Sequence, residues 1–252
     1  MTGALHAEWT KLRTVSGPAW LLLAAAVLTA ALSTAAVTAM SCPATGCAVD
    51  PTRLSLTGVQ LGQAVVAVLA VLILGNEYST GMIRTTLTAV PRRTAVLAAK
   101  ALLVVAGVLI SAFWGVLGSV LIGHTVLTRH GIPAYSLTHG PALRAAAGSV
   151  LYLALIALLS LGVATLVRDS AGAIGLVLGL LYVAPLLISV VNDAAWQRHL
   201  RQIMPSSAGL AIQATTGLAD LPIGPWAGLG VLGVWAAGSL LAGGTLLVLR
   251  DA

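Results

Sequence analysis

The sequence predicts an all-α membrane protein with six transmembrane helices, and three features of the 252-residue chain predict it. No charged side chain lies between Arg13 and Asp50, Arg53 and Glu77, Lys100 and Arg129, Arg144 and Arg168, Asp169 and Asp193, or Asp220 and Arg250. Each of these runs is longer than the ~20 apolar residues with which a helix crosses ~30 Å of hydrocarbon. Only 8% of residues are charged and 58% are apolar, whereas about a quarter of a soluble domain is charged. The segments between the runs are too short to hold a separate catalytic domain, so residues 1–252 read as a single six-span domain.

The chain begins with Leu5, Trp9 and Leu12 at i, i+4 and i+7, with His6, Glu8, Lys11 and Arg13 on the rest of the wheel. This pattern predicts a short interfacial helix with its tryptophan at headgroup depth, broken by Gly17-Pro18. Span one is expected over Ala19 to Met40, with Thr29, Ser33 and Thr34 turned toward other helices. It is too long for the apolar region of a signal peptide and reads as a retained span. Cys42 and Cys47 flank a Pro-Ala-Thr-Gly turn directly after it, where they either close a small disulfide or stand as two thiols.

Span two is expected from Leu56 to Gly75. It carries Gly58-x-x-x-Gly62, the spacing that lets two helix backbones approach closely, and Gln60 and Gln63, which can hydrogen-bond across such a contact. The polar segment from Asn76 to Arg93 follows. Within it Ile83, Leu87 and Val90 repeat at i, i+4 and i+7 ahead of Pro91, predicting a short helix whose single apolar stripe must rest on something. That support is either the bilayer surface or a soluble partner.

Span three is expected over Ala95 to Gly123, with Lys100 close enough to one end to snorkel outward. A loop with His124, His130 and His139 leads to span four, Ala145 to Val167. These histidines and His199 form no helical i, i+4 pair and have no carboxylate nearby in sequence, so no metal site is expected. The Arg168-Asp169-Ser170 turn makes spans four and five antiparallel neighbours. Span five carries Gly175-x-x-x-Gly179 and runs to Val191, with a kink at Pro185. Trp196, Leu200 and Ile203 then mark an amphipathic helix that ends at Pro205, predicting an outer helical hairpin ahead of span six, Trp226 to Leu249.

The formal charge is +6, but the basic residues stand at span ends rather than in an aromatic-interleaved patch, which argues against nucleic acid. They set orientation instead. Both termini in the cytoplasm place eight of the Lys and Arg residues inside and five outside. No span contains an acidic residue on these boundaries, which disfavours ion-coupled transport. There is no H-E-x-x-H and no G-x-S-x-G, and hence no sign of an enzyme; the lysines, Lys11 and Lys100, sit in no P-loop. Eleven arginines against two lysines, with abundant alanine, point to a GC-rich bacterial source.

Three segments give the chain a family resemblance: Ala7-Glu8-Trp9-Thr10-Lys11-Leu12-Arg13, Asn76 to Arg84 followed by Pro91-Arg92-Arg93 and Lys100, and Met204-Pro205-Ser206-Ser207-Ala208-Gly209. With them the chain resembles the type-2 ABC exporter permeases of bacteria whose ATPase is a separate polypeptide. The resemblance implies a permease of the bacterial inner membrane that dimerises, as a homodimer, and recruits a cytoplasmic ABC ATPase. ATP and Mg would belong to the ATPase, and this chain would bind no cofactor beyond its lipids. It places the coupling helix at Ser79 to Ala89, with Glu77, Tyr78, Ser79, Gly81, Met82, Ile83, Arg84 and Leu87 as ATPase-coupling residues. Leu5, Trp9 and Leu12 then lie on the inner surface, and spans two and five, with Gly58, Gly62, Gly175 and Gly179, line the dimer interface and pathway. The apolar spans suit a lipophilic or amphipathic cargo or peptide. The competing reading is a non-transporting membrane scaffold or immunity protein, which would share the same hydropathy.

Overall fold

The computed structural model of the protein describes residue 10 and residues 16–40, 50–82, 93–129 and 140–249. Among them are six helices long and apolar enough to cross a membrane: Ser16–Thr38, Val59–Ser79, Arg93–Arg129, Gly140–Val167, Ser170–Ser189 and Pro225–Leu249. The protein is a multi-pass membrane protein. The predicted interfacial helix with Leu5, Trp9 and Leu12, the loop with Cys42 and Cys47, and most of the predicted coupling helix, including Ile83, Arg84 and Leu87, lie outside the described residues.

Local chemistry sets the helix ends. The described part of span one begins at Ser16, three residues before the expected Ala19, and Pro18 does not interrupt it. A short helix, Pro51–Ser55, precedes span two. Its N-cap is Asp50, whose carboxylate accepts from the N–H groups of Thr52 and Arg53 at 3.1 and 3.2 Å. Span two runs on through Asn76, Glu77, Tyr78 and Ser79, residues the sequence assigned to the connecting segment, and stops where Gly81 takes a φ of +70°.

Span three is 37 residues long, about 55 Å at 1.5 Å per residue, far more than the hydrocarbon thickness. The loop expected at His124 is therefore helical, and Leu127 near the end is buried. Span four is likewise helical before the expected Ala145, from Gly140 onward among the described residues. Arg168, with φ at +60°, ends it, and Asp169 starts span five by accepting from the Gly172 N–H at 2.6 Å. The expected kink in span five takes the form of a π-helical stretch, Gly179–Val183, directly before Pro185. Proline cannot donate to the carbonyl four residues back and clashes with it; a widened turn relieves both problems.

Span four is the central helix, buried on most of its faces and packed on spans two, three, five and six. Span one lies on spans two and three. Spans one, five and six leave broad apolar faces open. One end of the bundle is covered by the helices Ala194–Ile203 and Pro205–Gly209 and the 3₁₀ turn Leu210–Gln213, and is called here the capped end. The other carries Glu77, Arg93, Arg168 and the end of span six, and is called the basic end.

Small residues set the distances between helices. A Cβ on Gly58 would come within 1.9 Å of the Thr29 carbonyl oxygen, and one on Gly62 within 2.2 Å of Thr29 Oγ1. The close approach foreseen for Gly58-x-x-x-Gly62 is thus made to span one of the same chain, against which both glycines are buried. Span three meets the other side of span one through Gly107, Ser111, Gly115 and Ser119, all four apart. Ser111 Oγ donates to Leu22 O at 2.6 Å, and Ser119 Oγ to Thr29 O at 3.3 Å. Spans four and six interlock at Gly162 against Ser239 and at Gly243 against Thr165.

Nothing lies within 4 Å of a Cβ placed on Gly175 or Gly179, so span five keeps its small-residue face open. Gly58→Val should therefore lower the thermal stability of the detergent-solubilised chain by an overpacking cost of about 1–3 kcal/mol. Gly175→Val should leave it unchanged.

Candidate functional site

At the basic end, Lys100 Nζ donates to Glu77 Oε1 at 2.7 Å, and the two side chains are 1% and 6% exposed. Glu77 sits in the last turn of span two and Lys100 in the second turn of span three. Their neighbours in sequence, Leu74, Val96, Leu97 and Ala99, are buried and apolar. Lys100 does not snorkel outward, and span two does carry an acidic residue; both expectations are corrected. The physical reason is mutual. Each charge costs several kcal/mol to remove from water, and the other, held at hydrogen-bond distance, offsets that cost.

The pair joins the two helices that flank residues 83–92. Two arginines add to the same end. Arg93 Nη1 donates to Leu247 O at 2.9 Å, and Arg168 Nη2 to Leu246 O at 3.2 Å. Both carbonyls belong to the last described turn of span six, a side of the helix where its dipole favours a cation. Arg168 also stands 5.8 Å from the centre of the Tyr78 ring. Spans two, three, four and six are thereby tied together around the start of the predicted coupling segment. Of its described residues, Glu77 is buried and Tyr78 half-buried, whereas Ser79, Gly81 and Met82 are exposed.

The capped end has its own polar framework. The carboxylate of Asp50, besides capping Pro51–Ser55, accepts from Thr215 N–H at 2.5 Å, Thr215 Oγ1 at 2.7 Å and Thr216 N–H at 3.1 Å. Burial raises its pKa, but the hydrogen bonds from Thr215, Arg53 and Thr216 together outweigh burial and hold the carboxyl below its ordinary value of 3.8. Arg144, at the start of span four, donates to Ala214 O at 2.5 Å, and Gln213 Nε2 donates to Ser149 Oγ at 3.1 Å. Residues 213–216 are thus pinned across the mouths of spans two and four.

Beneath this cover lies a cleft of about 410 Å³ between span two, the π-helical stretch of span five and the capping helices. Gln60, Gln63 and Tyr182 form its floor. Fully buried Tyr152 donates its hydroxyl to Gln63 Oε1, and Tyr182 donates to the Gln60 carbonyl. Gln63 therefore bonds to span four, not across the glycine contact to span one. The sequence gives no periodic signal for Tyr152 or Tyr182, but Asp50-Pro51-Thr52 does carry an N-cap signature. Among the described residues no cluster of three or more His, Cys, Asp or Glu side chains could hold a metal.

Removing either member of the Glu77–Lys100 pair strands the other charge, so Lys100→Met and Glu77→Gln should each destabilise the solubilised protein. The expected loss for Lys100→Met is about 3–5 kcal/mol; the double variant Glu77→Leu/Lys100→Met should recover most of it in thermal unfolding. The Asp50 clasp has a depressed folded-state pKa, so its contribution is fully present above the ordinary carboxylate value and is lost as pH falls through the folded value. Asp50→Asn should flatten the acid limb of a stability–pH profile.

A family model described as "ABC-2 family transporter protein" matches residues 4–186. Comparison with the curated proteins finds no match. The family match spans the first four spans and most of the fifth, including the Glu77–Lys100 pair and the segment between them. With six apolar helices and nearly three quarters of its length matched, the chain belongs to the ABC-2 transporter family and is a type-2 ABC permease, the membrane-spanning component of an ABC transporter.

Proposed function

We propose that this chain is the permease half of an ATP-driven exporter of a lipophilic or amphipathic compound or peptide, with a separate cytoplasmic ATPase and a second copy of itself as partners. Family membership implies an ABC ATPase component, and the chain carries no P-loop of its own. The buried Glu77–Lys100 pair carries the reading. It fastens together the two roots of the Gly81–Arg92 segment. A push on that segment then moves spans two and three instead of being absorbed by slack at their ends.

In this reading the basic end faces the cytoplasm of a bacterium. Arg93 and Arg168 stand there. The sequence puts Arg84, Arg92 and Arg250 next to the same span ends, as cytoplasmic loops favour, and in this reading both termini lie on that side. Residues 79–89 form the coupling helix. Arg84 and Leu87 reach the ATPase, while Glu77, committed to Lys100, positions the helix from within. Leu5, Trp9 and Leu12 lie along the same surface.

The second copy would cover span five. Its open face holds Gly175 and Gly179 together with exposed Leu176, Val183, Leu186 and Val190, an apolar surface of the kind that small-residue contacts between membrane helices bury. ATP binding on the partner closes the two ATPases, and the spans rock between inward- and outward-facing states. The π-helical stretch before Pro185 gives span five a place to bend.

Reconstitution in liposomes with ABC ATPases of the same cell, added one at a time, tests the proposal. ATP hydrolysis should rise on adding the permease. Arg84→Ala or Leu87→Asp should return it to the rate of the ATPase alone while the permease still inserts. Equal stimulation by both variants would overturn the coupling assignment. An ATPase that neither binds nor responds would favour a non-transporting scaffold or immunity protein.

A further inference from the structure

The cleft at the capped end has a charge that the transport reading does not use. Arg53, on the short helix before span two, and Arg201, in the last turn of Ala194–Ile203, both line it, and no carboxylate does. Neither guanidinium has an ion-pair partner among the described residues. The acids at this end are engaged elsewhere or stand apart: Asp50 holds Thr215 and Thr216, Asp193 caps Ala194–Ile203, and Asp220 is exposed outside the cleft.

A second observation is independent of the arginines. Ser206, 3% exposed, also lines the cleft, and its Oγ has no hydrogen-bond partner among the described residues. A buried hydroxyl without a partner is costly and calls for an acceptor or a donor. Beside the polar floor of Gln60, Gln63 and Tyr182, the wall has an apolar part formed by Leu181, Pro185, Leu210, Leu221 and Ile223.

Two unpaired cations, a hydroxyl in want of a partner and a greasy wall together describe a receptor for one kind of molecule. We propose that this cleft binds an amphiphile with an anionic head, a carboxylate or a phosphate. The head sits between Arg53 and Arg201 and accepts from Ser206 Oγ, and the chain lies along Leu181, Pro185 and Leu210. The proposal rests on the permease reading and narrows its cargo to anionic amphiphiles, held at the end from which cargo would leave.

The test uses the full chain in phosphatidylcholine nanodiscs, with labelled dodecyl phosphate, dodecanoate and dodecanol in equilibrium dialysis and empty discs subtracted. Both anions should bind at least roughly tenfold more tightly than the alcohol, as expected for charge-assisted hydrogen bonds. Arg53→Gln/Arg201→Gln should abolish that preference, and Ser206→Ala should weaken the anions alone. If the double variant loses its wild-type unfolding temperature, Arg201→Gln, on the exposed helix, gives the same readout.

Displacement of dodecyl phosphate by phosphatidylglycerol in the disc would identify the occupant as a membrane lipid headgroup. Failure to displace would identify a free amphiphile; both sustain an anion site. Equal binding of dodecanol, or unchanged anion binding in the arginine variants, overturns the proposal. No ATPase is present, so loss of ATPase coupling with anion preference intact would sink the permease mechanism alone, and the reverse result would sink only this site.

Discussion

Glu77 and Lys100 are drawn out of water together, and the rest of the basic end depends on that pair. In a bundle whose outside is hydrocarbon, neither charge could be left alone at such depth. Their contact fixes how the end of span two stands against the start of span three. Arg93 and Arg168 then donate to the carbonyls of Leu247 and Leu246, which ties span six to the same end of the bundle. One set of residues serves both hydrogen bonding and rigidity.

Elsewhere the bundle is held by fit. Helices immersed in lipid gain little from hiding apolar surface, so close backbone approach and short hydrogen bonds replace the hydrophobic drive. Span one is held on both sides this way, by Gly58 and Gly62 of span two and by the ladder from Gly107 to Ser119 of span three. Thr29 is the shared point: it meets both ladders and returns its own hydroxyl to Ala25 O. Span five has no such fastening on its outer face, and among the described residues it alone carries a π-helical stretch. Rigid elements at one end of the molecule and an adaptable one beside the cleft suit a permease that must change shape.

The two ends differ in how they treat charge. At the basic end every described cation except those on the exposed surface is matched to a carboxylate, a ring or a carbonyl. At the capped end Asp50 and Arg144 are spent in pinning residues 213–216, while Arg53 and Arg201 look onto the cleft without an acid between them. A closed framework on one side and an open electropositive cleft on the other give the molecule a functional polarity.

The sequence by itself determined the number of spans, because a charge-free run of more than twenty residues has few alternatives to crossing the bilayer. It also determined the family, whose match is written in contiguous residues. Boundaries were less legible. Span three runs past His124, and span two past Gly75 through Glu77, since neither a histidine nor a glutamate breaks a helix whose neighbours go on packing. Only the tertiary structure could decide which partners meet. Glu77 and Lys100 are 23 residues apart, Gln63 and Tyr152 are 89, and Asp50 and Thr215 are 165. Such pairings depend on the rotation of each helix about its axis, which is set by glycine and serine contacts along its whole length and leaves no local trace in the chain.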